Sequence, residues 1–114
     1  MRVLIAGVTY YPAPNGQARA TVNLAEGLAR LGHDVMMVMQ SDRKYAYSDL
    51  RNGVHIRGIS SINMKLWHPD AYYSPFPNRS IRKIFDEFRP DIAHIQDHYP
   101  LTRYVVLTAR RRGV

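Results

Sequence analysis

Short aliphatic runs alternate along this chain with stretches of helical period, and that alternation constrains the fold more than any other feature. The first run, Arg2 to Ala6, is β-branched and aliphatic and reads as a buried strand. From Ala18 to Leu31, Thr21, Leu24, Ala25, Leu28 and Leu31 recur at helical spacing, while Arg19, Asn23, Glu26 and Arg30 fall elsewhere. Gly32 stands where a left-handed helix cap is expected. Val35 to Met39 reads as a second strand, and Val54 to Ile59 as a third, less buried one. Ile81, Ile84, Phe85 and Phe88 occupy i, i+3, i+4 and i+7 of a helix that Asn78 or Ser80 would cap and Pro90 would end. Ile92 to Gln96 is the fourth strand. Pro100 suits the first turn of a last helix, Leu101 to Arg112, with Leu101, Tyr104, Val105, Thr108 and Ala109 on its buried face and Gly113 as its cap. Strands alternating with helices predict an α/β fold: a Rossmann-like parallel sheet, in the order 3-2-1-4, with helices on both faces.

The intervening segments read as loops. Gly7 to Gln17 holds Pro12, Pro14, Asn15 and Gly16. Ser41 to Asn52 is polar and without period. Ser60 to Pro77 is the least regular, with Trp67, Tyr72, Tyr73 and Phe76 among several prolines. An aromatic loop of that length in a compact domain is usually functional or covered by a partner.

At 114 residues the chain is expected to form one domain with one modest core. It contains no cysteine, which removes disulfides and thiolate metal sites from consideration. The longest unbroken apolar stretch, Val35 to Met39, is only strand-sized, and the N-terminus is too quickly interrupted to be a signal peptide. A cytoplasmic location is expected. The net charge of +7 favours anionic partners or simply gives a solvated basic surface. Arg79, Arg82 and Lys83 form one basic cluster and Arg110, Arg111 and Arg112 another. No recognised nucleic-acid motif accompanies this charge, so nucleic acid is not an expected partner.

The expected topology locates a site. With strands one and four adjacent, the chain reverses direction across the sheet between them, and open α/β sheets bind ligands in that crevice, beyond the carboxyl ends of the strands. The loops that meet there are Gly7 to Gln17 and Asp97 to Pro100. Asn15 and Gly16 directly precede a helix, whose N-terminal amides and dipole favour an anion; the plainer alternative is a turn glycine with no ligand. Gly7 and Gly16 lie nine residues apart, so the G-x-G-x-x-G fingerprint is absent, as is a Walker loop. A nicotinamide dehydrogenase or P-loop nucleotidase is thereby disfavoured. In the second loop, Asp97 can accept a hydrogen bond from a ligand hydroxyl, and His98 can donate or accept one. Asp97 also suits a helix N-cap. His94, inside the fourth strand, reads as a core histidine. His94, Asp97 and His98 are not expected to hold a metal, because neighbouring strand residues point to opposite faces. Neither G-x-S-x-G nor H-E-x-x-H occurs.

The stretch Tyr11-Pro-Ala-Pro-Asn-Gly-Gln-Ala-Arg19, followed by Val22 to Val35 ending Leu-Gly-His-Asp-Val, resembles the N-terminal domain of glycosyltransferase family 4. Its members open with a strand, a proline, a Gly-Gly pair and an arginine, then a helix ending Gly-His-x-Val. The later stretch from Phe88 to His98, Phe-Arg-Pro-Asp-Ile-Ala-His-Ile-Gln-Asp-His, is similar to the family's Arg-Pro-Asp-Val-Val-His-x-His segment. Asn15 replaces the first glycine of the pair, Ala18 stands where many members carry Glu, and Gln96 replaces the second histidine. The resemblance implies a GT-B type enzyme of two Rossmann-like domains facing a cleft, the first binding the acceptor and the second most of a nucleotide-sugar donor, with sugar transfer under retention and no metal cofactor. It implies that Asn15, Gly16 and Gln17 lie at the donor diphosphate and that Arg19, Asp97, His98 and Tyr99 lie on the acceptor or substrate side. Residues 1–114 would then be an incomplete N-terminal domain, without the donor domain and inactive alone.

Further partners are expected. The Trp67 to Phe76 aromatics and the basic Arg79, Arg82 and Lys83 are candidates for contact with an acidic membrane surface, at which the protein would be peripheral; alternatively these aromatics close a small core. The strand Ile92 to Gln96, unflanked, is expected to self-associate. The competing function is a non-catalytic Rossmann-like binding or interaction module.

Overall fold

The computed structural model describes residues 1–7, 16–41, 45–63, 72–73, 77–97 and 100–114. Strand β1 (Arg2–Ala6) lies inside a five-stranded sheet, paired in parallel with β2 (Asp34–Gln40) on one side and with β7 (Ile92–Ile95) on the other. Beyond β2 lies β4 (Val54–Ile59), also parallel, and beyond that β3 (Tyr47–Arg51), antiparallel to β4. Across the sheet the strands follow one another as β3-β4-β2-β1-β7.

The sheet is therefore mixed, where the sequence predicts parallel strands alone. The added strand, β3, falls in the segment Ser41 to Asn52 that reads as a loop. Only its two end residues are half-buried and the three between them are exposed, so it has no apolar face to produce a period. What makes it a strand is the turn that follows. Asn52 and Gly53 both have positive φ, at 51° and 82°, the geometry of a tight two-residue hairpin turn. Two further short strands, β5 (Ile62–Asn63) and β6 (Tyr72–Tyr73), pair antiparallel as a separate ladder within the stretch read as irregular. Of the aromatic stretch Trp67 to Phe76, all but β6 falls outside the described residues.

Helix α1 (Gly16–Arg30) begins two residues earlier than its apolar period suggests. It ends in a Schellman motif: the amide of His33 reaches the Leu28 carbonyl at 3.2 Å and that of Gly32 the Ala29 carbonyl at 3.0 Å, with Gly32 at φ 95°. Leu31 consequently falls in the turn and is 77% exposed instead of lying on the buried face. Helix α2 (Asn78–Phe88) buries Ile81, Ile84 and Phe85, the expected stripe. Neither Asn78 nor Ser80 caps it; Pro77 holds the cap position and offers no side-chain hydrogen bond. Arg89, left-handed at φ 51°, closes the helix by donating to the Phe85 carbonyl, and Pro90 follows. Helix α3 (Pro100–Arg111) buries Leu101, Thr102, Val105, Thr108 and Ala109.

Alternation along the strands sends successive side chains to opposite faces. Val3, Ile5, Val35, Met37, Val54 and Ile56 pack beneath α1, against Ala25, Val22 and Leu28. Leu4, Ala6, Met36, Val38 and Ile59 pack beneath α2 and α3, against Ile81, Ile84, Phe85, Leu101 and Val105. Full burial of each Leu or Ile side chain contributes roughly 1.5–3 kcal/mol. Because β1 and β7 are parallel and lead into α1 and α3, those two helices start at the rim where the strands end. Among the described residues, no helix is long and apolar enough to cross a membrane.

Candidate functional site

At the carboxyl end of β1 the chain leaves the sheet through Gly7, whose amide still donates to the Val38 carbonyl at 3.2 Å. At the corresponding end of β7, Gln96 extends the ladder by one bond, its amide donating to the Ala6 carbonyl at 2.9 Å. The two strand ends are close: a Cβ placed on Gly7 would sit 3.4 Å from Asp97 Oδ2 and 3.4 Å from Gln96 Cβ. The start of α1 lies over this junction. Gln17 Nε2 donates to Asp97 Oδ2 at 3.1 Å, joining the first turn of α1 to the segment after β7 across 80 residues of sequence.

A second connection runs deeper. Thr21, one turn further along α1, is fully buried. Its hydroxyl donates to the Gln17 carbonyl at 2.8 Å and accepts from Gln96 Nε2 at 2.9 Å. With its amide nitrogen committed to Thr21, Gln96 offers Oε1 to His94 Nε2 at 2.9 Å, so the imidazole proton there sits on Nε2. The chain His94, Gln96, Thr21, Gln17 fastens the first turns of α1 to the end of β7. Thr102 secures the other side, its hydroxyl donating to the Asp97 carbonyl at 3.0 Å.

The residues singled out from sequence are thus distributed unevenly. Gly16 and Gln17 open α1 at the rim and Asp97 faces them. Asn15, His98 and Tyr99 lie outside the described residues. Arg19 is not brought to Asp97: it is exposed, and two positions along a helix turns a side chain by about 200°, away from the direction Gln17 takes. His94 is not a core histidine. It is exposed on an edge strand and held through Gln96. Thr21 and Gln96, which make the junction, carry no motif; the one available sign was that Gln96 departs from the family's histidine. Among the described residues, no three His, Asp or Glu side chains gather as metal ligands would.

Chemically, the rim offers the amides that open α1, with no acidic residue in that first turn to oppose an anion. Among the described residues, a Cβ on Gly16 would meet nothing within 4 Å. Beside the helix start stands a carboxylate, Asp97, that accepts hydrogen bonds. No curated protein matches the chain. Residues 14–114 match the family model described as Glycosyltransferase Family 4, a span that takes in all three helices and the whole of the sheet after β1. The chain belongs to glycosyltransferase family 4.

Proposed function

We propose that this domain forms the acceptor side of a sugar-transfer cleft, in an enzyme that moves a sugar from a nucleotide-sugar to an acceptor with retention of configuration. The observation that carries the reading is the Gln17–Asp97 hydrogen bond, which joins the opening of α1 to the segment after β7 at one rim of the sheet. The donor diphosphate lies at Asn15, Gly16 and Gln17, where helix amides and the dipole stabilise the negative charge that grows on the leaving group. The acceptor side is assigned to Arg19, Asp97, His98 and Tyr99. Transfer also needs a donor-binding domain, so residues 1–114 assayed by themselves are inactive. No metal takes part.

Titration of the chain with a nucleoside diphosphate, followed by amide NMR, tests the site: shifts concentrated in residues 16–20 are expected, and their absence sinks the assignment. Release of nucleoside diphosphate from a nucleotide-sugar by the purified chain, above background, refutes the inactivity. Two partners belong to the same proposal. Arg79, Arg82 and Lys83 are all exposed on α2, as contact of a cytoplasmic enzyme with an acidic membrane requires. The open side of β7 pairs with a neighbouring copy.

A further inference from the structure

A hollow lies along the same rim, beyond β2 from the junction of β1 and β7. Its volume is about 360 Å³, and it opens between the end of β4, the start of β3 and the first turns of α2. Its polar wall consists of Arg57, Lys83, Ser48 and Ser80. Arg57 and Ser48 are register partners on β4 and β3, so both side chains leave the sheet on the same face, the one that α2 covers. Ser80 is the third residue of α2, a helix whose cap position carries no side-chain hydrogen bond and whose first turn contains no acidic residue.

The only carboxylate bonded to these cations among the described residues is that of Glu87. Arg57 Nη1 lies 2.9 Å from Glu87 Oε2, and Lys83 Nζ lies 4.0 Å from Oε1. Two positive charges share one negative charge, so the hollow keeps a net positive charge beside two hydroxyl donors and an uncapped helix start.

We infer that this hollow binds a phosphate group, free or borne on a small molecule or lipid headgroup, at Arg57, Lys83, Ser48 and Ser80. A carboxylate has two oxygens; a tetrahedral phosphate has enough to engage a planar guanidinium, an ammonium and two hydroxyls together. The volume, at the low end of small-ligand sites, accommodates a phosphate with a modest substituent. Glu87 occupies the cations when phosphate is absent and competes with it. The inference is independent of the sugar-transfer cleft, since neither Gln17 nor Asp97 lines the hollow.

The experiment titrates the full chain with inorganic phosphate and with acetate at matched ionic strength, by amide NMR. In parallel it measures sedimentation with phosphatidylcholine vesicles, with and without phosphatidic acid. Saturable shifts at Ser48, Arg57, Ser80 and Lys83 with phosphate but not acetate identify a free phosphate compound. Binding to the phosphatidic acid vesicles alone identifies a headgroup. In either case the Arg57→Gln, Lys83→Gln double variant binds at least about tenfold more weakly, Glu87→Gln binds more tightly, and Gln17→Ala binds as the parent does. Three results overturn the inference: equal response to acetate, no response to phosphate in either form, or an unchanged or weakened affinity in Glu87→Gln. The last holds even if the double variant fails to fold.

Discussion

The two edges of the sheet are built on opposite plans. At one edge, β3 is short, antiparallel and polar, closed onto β4 by the Asn52-Gly53 turn and tied to α1 by the Arg51–Glu26 ion pair at 2.6 Å. Asn52 reinforces the tie through Glu26 Oε1 at 3.1 Å. At the other edge, β7 is parallel and apolar apart from His94, and Ile92 is 46% exposed. Charge and a hairpin blunt the first edge in the manner by which sheets avoid joining one another; the second, which no further strand flanks among the described residues, keeps its outer backbone and an apolar side chain open. The difference teaches where this domain accepts a neighbour. The closed edge flanks the proposed phosphate hollow, and the open edge leads directly into the candidate cleft.

The closed edge breaks most readily at Gly58. The Tyr47 ring rests where a Cβ on Gly58 would stand, so the aromatic side chain of β3 seats itself on a bare position of β4. Gly58→Val should displace the ring and destabilise the domain by about 1–3 kcal/mol, read as a lowered denaturant midpoint; an unchanged midpoint would mean that the ring does not anchor the edge. Next is the turn. Gly53→Ala places a side chain at a φ of 82° and, in addition, within 3.3 Å of the Ala29 Cβ. A loss of about 1–2 kcal/mol is expected, with protection of the β3 amides in hydrogen exchange falling before that of β1.

The open edge should respond differently. Ile92→Lys is expected to change the stability of the isolated domain by less than about 0.5 kcal/mol, while abolishing association that grows with concentration in sedimentation velocity runs. If the parent chain stays monomeric at every concentration, the open edge is not an association surface. The smallest effect belongs to Glu87. The hydrogen bond from Arg57, opposed by partial desolvation and supplemented by the charges of Arg57 and Lys83, holds its carboxyl below the ordinary glutamate value of 4.5. A lowered folded-state value contributes stability that is present above the unfolded-state value and lost as the pH falls through the folded one. The advantage of the parent over Glu87→Gln should therefore be constant near neutrality and shrink below pH 4.5. An advantage that grows with acid would contradict the sign.

What could be read from the sequence follows the same physical division. The stripe Ile81, Ile84, Phe85, Phe88 marks α2 because one face of that helix is buried against the sheet. The runs at β1 and β2 stand out because helices cover both faces of those strands. Strand β3 does not, since it buries no residue and owes its conformation to a partner and a turn; the Asn-Gly pair before Val54 was its only signature. Leu31 fitted the period of α1 but lies past the point where the helix stops. At the candidate site, the pairing of β1 with the last strand, which brings their ends together at one rim, was legible from topology. The bonds that set their spacing were not, because Thr21 and Gln96 lie 75 residues apart and neither residue type announces the other.

The tie between His94, Gln96 and Thr21 gives the molecule an internal messenger. An imidazole on the outer margin of the sheet is coupled, through one amide and one hydroxyl, to the place where α1 begins. A strand pairing alongside β7 would therefore stand next to residues that are already bonded to the helix. The edge open to a neighbour and the seat of α1 share one run of hydrogen bonds, so a substitution at Gln96 touches both.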